Sequence, residues 1–575
     1  MESSEIDTPT TTADSPSSPN PRASPQTNDH DIANTACMSC RSRHLKCDRM
    51  PVCTRCSTQG TPCTYSKSRR GHRARGFHSK QTSSTNSPIK AIVGDSKPKN
   101  LDVLGIASVP VVEDEPFSSL LEFPLATANP NLDDLYTRRS YPNYHEQCID
   151  GFFQYFYHAH PFLPPRHQLL QILQTNPVNH LQTAMYYVGS RYVYGQSQSS
   201  FALEFESYLR PESAGPKDAS MVQAMLLFAL GLDTDNNQAR AVEVLIKAQS
   251  LAMELGMNQR EYAILNGRGS ALCEESLRRT WWELYVVSIL VAGFHGKDIF
   301  YSRSLVSTVP VPCEATEFAS GIIPRLYTIE EFEDNLFQRE EIDWSSYAYR
   351  IAAARNLERI LQSNQIVCID DAELYGLEAY ITNWHLHLPP NKRNIIDPFG
   401  NLDEMLFQAQ MISYASSILL HRRFSALQSL AVQTITTCTG RQPRVGTPPR
   451  STLDNVHTAK EAQAASNIGK LIMLPGSLIK HTHFFVCALT LSSISHLSLW
   501  SSLPVIGPDQ DLQQQIQLSA GALKAVAHVY PSARMGYQQV SLVAQKIYAN
   551  RKEEAIGQIF WQDFADEDFM TDLAK

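Results

Sequence analysis

The sequence predicts a small cysteine-held metal module followed by a large all-α domain, with a disordered N-terminal tail and a linker. Three observations predict this. Six cysteines, Cys37, Cys40, Cys47, Cys53, Cys56 and Cys63, fall within 27 residues and repeat the spacing Cys-x2-Cys-x6-Cys twice. From about Tyr144 to about Tyr548 apolar residues recur at helical spacing, and strand-like alternation is scarce. Charge is segregated: residues 37–80 hold eleven Lys/Arg against one acid, Asp48, a balance of +10, while the whole chain is −8 and the remainder therefore −18.

Residues 1–36 are rich in Ser, Thr, Pro and Asp and lack an apolar run, so a disordered tail is expected rather than a signal peptide. Without export, a reducing compartment favours thiolates and metal over the fifteen disulfide pairings that six cysteines allow. Thiolates two residues apart can turn both sulfurs onto one ion at about 2.3 Å, which suits a soft tetrahedral metal such as Zn(II). Each half supplies three thiolates and a closed site needs four, so six serve two metals only if two sulfurs bridge. The duplicated spacing favours a symmetric pair of ions over one ion with spare ligands. With every ligand a thiolate, no open position is expected for a substrate water, and the metal is structural.

The halves match in spacing but not in charge. Between Cys40 and Cys47 lies Arg41-Ser42-Arg43-His44-Leu45-Lys46; between Cys56 and Cys63 lies Ser57-Thr58-Gln59-Gly60-Thr61-Pro62, which is uncharged. Phosphate neutralisation and guanine recognition both call for Lys or Arg, so the first half is expected to face double-stranded DNA. Over 64–80 a basic extension follows, carrying Lys67, Arg69, Arg70, Arg73 and Arg75. It reads as a phosphate clamp, a nuclear-localisation patch, or a solvated basic linker. Residues 81–140 read as a linker. Residues 64–110 contain Gly71, Gly76, Pro88 and Pro98 and no sustained heptad. A homodimer would therefore form through the helical region, without a linker coiled coil; the other reading is a protein that binds a single site.

Within the helical region, Ala241, Leu245, Ala248, Ala252 and Leu255 mark one face of a helix stopped by Gly256. A second helix is expected from Leu277 to Val291. Its Trp281 and Trp282 read as packing residues, and Arg278 and Arg279 as i,i+4 partners of Glu274 and Glu275, worth about 0.3 kcal/mol. The apolar stretch Phe484 to Trp500 spans seventeen residues and contains His496 and many Ser/Thr. That falls short of the roughly twenty apolar residues of a membrane span, so a buried core helix is expected and no membrane partner. Residues 439–455 read as an exposed loop. Cys148, Cys273, Cys313, Cys368, Cys438 and Cys487 are scattered and read as small apolar core residues. Neither a P-loop, a dinucleotide glycine fingerprint, a His-Glu-x-x-His nor a Gly-x-Ser-x-Gly is present, so no enzyme is expected. At the C-terminus, residues 555–575 interleave acids with Trp561, Phe564, Phe569 and Leu573. This is the composition of an acidic activation segment that offers aromatics to transcription machinery or a coactivator. The rival reading is a last helix packed back on the domain.

The segment Ala36-Cys37-Met38-Ser39-Cys40-Arg41-Ser42-Arg43-His44-Leu45-Lys46-Cys47-Asp48, with Pro51-Val52-Cys53-Thr54-Arg55-Cys56 and Cys63-Thr64-Tyr65, resembles the fungal Zn2Cys6 binuclear-cluster family of transcription factors. The resemblance implies two Zn2+ ions bridged by Cys37 and Cys53, one also held by Cys40 and Cys47, the other by Cys56 and Cys63. It implies a short helix in the major groove reading a CGG-like triplet, with Arg43 and His44 at the base-reading positions. Arg41 and Lys46 are expected on phosphates, which position without specifying sequence. Many members carry lysine where this chain has His44, a shorter and mostly neutral donor. A wider resemblance, over roughly 145–500, is to the family's middle homology region. It is carried by Phe152-Phe153-Gln154-Tyr155-Phe156-Tyr157 with His160-Pro161-Phe162, by Arg278-Arg279-Thr280-Trp281-Trp282, and by Val309-Pro310-Val311-Pro312-Cys313-Glu314. It implies an all-α regulatory domain, placed here at 141–550, in a nuclear RNA polymerase II activator of a metabolic or secondary-metabolite gene cluster; the other reading is a repressor or scaffold that binds DNA without activating, and an enzyme in the helical region comes last.

Overall fold

A computed structural model describes residues 37–64, apart from 44, 49 and 51, and residues 144–566, apart from 194–198, 211–215, 298–306, 336–341, 364–365, 367–370, 428, 441–454 and 505–508. The expected tail, basic extension, linker and most of the 439–455 loop lie outside the described residues. The chain divides into two compact units, Met1–Ser108 and Val109–Lys575.

In the first unit two short helices, Met38–Ser42 and Thr54–Thr58, each begin one residue after the first cysteine of a half. The regular structure of the second unit's described residues is helical; the only β pairing among them is an isolated bridge between Ile396 and Leu402. The helix marked by Ala241 to Leu255 runs Gln238–Glu254, and Gly256 follows it at φ 76°, a conformation glycine adopts without a Cβ clash. It lies along Ala219–Thr234. Further on, Ser346–Gln362, Glu404–His421, Val456–Leu471 and Phe484–Ser502 pack in succession, and the last is flanked by Gln510–Val526 and Pro531–Asp566. Helices Tyr144–Gly151 and Asn179–Ser190 approach through glycine: a Cβ on Gly189 would sit 1.9 Å from the Cys148 carbonyl oxygen.

Phe484–Ser502 is long and apolar enough to cross a membrane, but 89% of its apolar window is buried inside the protein. Its Ser and Thr hydroxyls are spent internally: Thr490 donates to the Val486 carbonyl at 2.9 Å and Ser495 to Glu461 at 2.7 Å. This is the core helix its composition predicts.

The second predicted helix is longer than its apolar pattern, Ala271–His295, because Ser270 accepts from the Cys273 N–H at 3.4 Å and Gly296 ends it at φ 64°. The three segments that carry the wider resemblance converge on it. Ser276 donates to the Phe162 carbonyl at 2.7 Å, and Arg279 to those of Pro161 at 3.2 Å and Cys313 at 2.7 Å. Trp282 donates to the Pro310 carbonyl at 2.9 Å, and the Cys313 N–H to Glu275 at 3.0 Å. Trp281 and Trp282 are core residues, as expected. Arg278 and Arg279 do reach Glu274 and Glu275, but the modest i,i+4 pair energy expected of them does not apply. Arg279 and Glu275 are fully buried, and the arginine lies 4.1 Å from the centre of the Phe318 ring. A desolvated pair of this kind is costly to break.

One turn further along, Glu283 is the centre of a buried cluster. Arg350 donates to it in bidentate fashion at 2.6 and 2.8 Å, His160 Nδ1 lies 2.7 Å away, and the Tyr347 hydroxyl donates to its other oxygen. Burial alone would raise this carboxyl, but Arg350 and His160 hold it well below the usual carboxylate range.

Candidate metal centre and nucleic-acid interface

The duplicated spacing folds into a duplicated hydrogen-bond pattern. In the first half the Arg41 N–H donates to the Cys37 carbonyl at 2.8 Å and the Leu45 N–H to that of Cys40 at 2.9 Å. In the second half the Ser57 N–H donates to Cys53 at 3.0 Å and the Thr61 N–H to Cys56 at 3.1 Å. The Cys37 N–H points at the Cys47 sulfur, 3.5 Å away, and the Cys53 N–H at the Cys63 sulfur, 3.2 Å away. Two cross-links close the module: the Met38 N–H donates to the Thr64 carbonyl at 2.8 Å and the Ser39 hydroxyl to that of Pro62 at 2.6 Å.

These bonds bring all six sulfurs together in two groups of four, each spanning no more than 4.8 Å. One group is Cys37, Cys40, Cys47 and Cys53; the other is Cys37, Cys53, Cys56 and Cys63. Cys37 and Cys53 belong to both, the positions the family resemblance assigns to the bridging ligands. Four sulfurs each about 2.3 Å from one ion stand about 3.8 Å apart in a tetrahedron. The Cys37–Cys53, Cys37–Cys56 and Cys40–Cys53 sulfurs lie 3.7, 3.7 and 3.6 Å apart, so the donor set fits tetrahedral zinc. Burial pushes the Cys37 thiol up to about 12, whereas the Thr61 hydroxyl and the neighbouring thiols bring Cys56 down to about 7. Zinc must displace such protons, which makes its uptake pH-dependent.

Arg41, Arg43 and Lys46 are exposed around the first half, while the exposed spacer of the second is uncharged. His44 lies outside the described residues, as do Lys67, Arg69, Arg70, Arg73 and Arg75. Sequence reasoning gave Asp48, the one acid of residues 37–80, no role. Its carboxylate accepts from the Thr54 N–H at 2.9 Å and from the Thr54 hydroxyl, and these two bonds hold it below the usual carboxylate range. The acid is thus engaged at the start of the second helix. An acid shortly before Thr54 at a helix start was the available signal.

At the C-terminus, the helix Pro531–Asp566 carries its backbone through Trp561 and Phe564, past the domain boundary expected near residue 550. The first part of the expected activation segment is therefore helical rather than an open tail; Phe569 and Leu573 lie outside the described residues.

Residues 35–72 match the fungal Zn(2)-Cys(6) binuclear cluster domain, and residues 149–341 match the fungal specific transcription factor domain. The C6 finger domain transcription factor iacK of Pestalotiopsis fici is 36% identical over 573 residues, covering 94% of this chain and 84% of that protein. No solved structure matches. The six cysteines are a binuclear cluster for two zinc ions, and the protein is a transcription factor rather than an enzyme. The chain belongs to the fungal Zn(2)-Cys(6) binuclear-cluster transcription factors.

Proposed function

We propose that this protein is a nuclear, sequence-specific activator that reads a CGG-like element through the stretch between Cys40 and Cys47. The observation that carries the reading is the grouping of exposed cations, Arg41, Arg43 and Lys46, on one half of a pseudo-symmetric module whose other spacer is neutral. Arg43 and His44 contact base edges, Arg41 and Lys46 grip phosphates, and the run Lys67 to Arg75 adds affinity without sequence information. Helical residues 141–550 regulate activity, and residues 555–575 recruit transcription machinery through Trp561, Phe564, Phe569 and Leu573. Metabolic genes, including secondary-metabolite clusters, are the targets. Where a dimer forms, the helical region supplies its interface, since residues 64–110 have no heptad.

The test is a titration of full-length protein and of Arg43→Ala against a duplex carrying CGG and a scrambled duplex, across salt concentrations. Arg43→Ala is expected to lose about 1–3 kcal/mol on the CGG duplex with little change on the scrambled one. An equal loss on both duplexes makes Arg43 a phosphate contact and overturns the assignment. Fusing residues 555–575 to a neutral DNA-binding domain tests activation; a silent reporter refutes it.

A further inference from the structure

A second group of soft donors lies wholly within the helical unit. His295 is the last residue of Ala271–His295, Cys487 lies in the first turn of Phe484–Ser502, and Cys438 lies in the loop after the turn Val432–Thr434. A ring nitrogen of His295 and the two sulfurs lie within 4.8 Å of one another. Both cysteines are buried and form a disulfide in this structure, with Cα atoms 4.8 Å apart. Sequence reasoning had placed both among isolated core cysteines; the fold brings them together across 49 residues.

The histidine is oriented as a ligand. Its side chain is 2% exposed, and its Nε2 faces the Asp233 carboxylate at 3.0 and 3.2 Å. His483 fixes the same carboxylate from the other side at 2.8 Å. With Nε2 committed, Nδ1 is left buried with no hydrogen-bond partner. A carboxylate behind one ring nitrogen and an unpartnered buried nitrogen at the other is the usual arrangement around a metal-ligating histidine. The loop is fastened where it must be to bring Cys438 there. Gly440 donates to the Phe294 carbonyl at 2.9 Å, next to His295, and Cys438 itself sits at φ 52°, a backbone state rare for residues with a side chain.

We propose that Cys438, Cys487 and His295, with the cysteines in the dithiol form, supply three ligands of a third metal site for a soft thiophilic ion, Zn(II), with a water as the fourth. Two thiolates offset the two charges of Zn(II) and leave only the Asp233 carboxylate behind His295, whereas Cu(I) on the same donors adds a further uncompensated negative charge in an interior where net charge is costly. The six cluster cysteines must stay thiolates to hold their zinc, so this chain works where thiols are kept reduced. A dithiol reductant opens the Cys438–Cys487 bond by exchange and leaves as its own disulfide. The two cysteines gain two electrons and two protons, and the incoming ion displaces those protons as it binds both sulfurs.

The test is metal stoichiometry on the full-length protein, loaded with zinc under a non-chelating reductant and desalted. Three zinc ions per chain are expected for the natural sequence and two for Cys438→Ser/Cys487→Ser, whose cluster serves as internal standard. Without any variant, zinc should also protect Cys438 and Cys487 from alkylation, read by peptide mass. Two zinc ions per chain with both cysteines freely alkylated overturns the proposal, as does a Cys438–Cys487 disulfide that persists in the reductant. A parallel loading that fills the site with Cu(I) but never with zinc overturns the choice of ion.

Discussion

Glu283 and Arg350 are both fully buried and joined by two hydrogen bonds, so the sharpest test of the helical core is to remove one of them. Arg350→Met keeps most of the volume and leaves Glu283 with only His160 and Tyr347. Taking one partner from a buried pair costs about 3–5 kcal/mol, because the remaining charge stays desolvated. Across roughly 420 helical-unit residues, an unfolding entropy of about 2.1 cal/mol/K per residue gives about 0.9 kcal/mol/K, so the melting midpoint should fall by about 3–6 °C. Intrinsic fluorescence is a suitable assay, since Trp281 and Trp282 lie on the helix that carries Glu283. The double variant Glu283→Gln/Arg350→Met removes both charges and should lose clearly less than the two single variants together. A single-variant shift under about 1 °C, or shifts that simply add in the double variant, refutes the coupling drawn from this geometry.

Cys53 belongs to both four-sulfur groups and Cys63 to one. Mass spectrometry should therefore find Cys53→Ala without either zinc ion and Cys63→Ala with one; both ions lost from Cys63→Ala contradicts the shared-ligand arrangement. Because structural zinc supplies on the order of 10–16 kcal/mol in small zinc domains, chelation should unfold residues 37–64 and abolish DNA binding. Burial holds His421 and His496 down at about 4, against an ordinary 6.5. The unfolded chain takes up these protons first, so their contribution is intact above about pH 6.5 and is lost as pH falls towards 4, by at most about 3 kcal/mol each. A urea midpoint that does not fall between pH 7 and 5 counts against this. Gly189→Ala forces a methyl to within 1.9 Å of the Cys148 carbonyl, and it should cost about 3 kcal/mol or more of stability; a melting curve matching the natural sequence rules out the close helix crossing.

The metal module was legible because its determinants are local. Cysteine spacing fixes which sulfurs can meet, and the charge between Cys40 and Cys47 needs no tertiary context. The all-α class was legible from periodicity, and so was the burial of Phe484–Ser502, whose hydroxyls bond within the protein. What escaped was everything set by long-range contact. Glu283 meets His160 and Arg350 across 123 and 67 residues, and Cys438 meets Cys487 across a loop of unremarkable composition. Arg279 reads as no more than a modest i,i+4 partner because that spacing is the same on a buried helix as on an exposed one. In the fold its guanidinium donates to the carbonyls of Pro161 and Cys313, distant segments that the helix spacing does not reveal.

The repeated backbone pattern of the zinc module separates two kinds of inheritance. Architecture resides in the cysteines, the amides that point at their sulfurs, and a few cross-links such as those from Met38 and Ser39. Arg41, Arg43 and Lys46 project outward and carry none of it. Substitution there is therefore nearly free of folding penalty, so on the proposed reading lineages can drift to new operator sequences without first acquiring compensating mutations. On the same reading the six-residue spacer is a cassette: grafting it from one member of the family to another should carry recognition with it and leave the scaffold undisturbed.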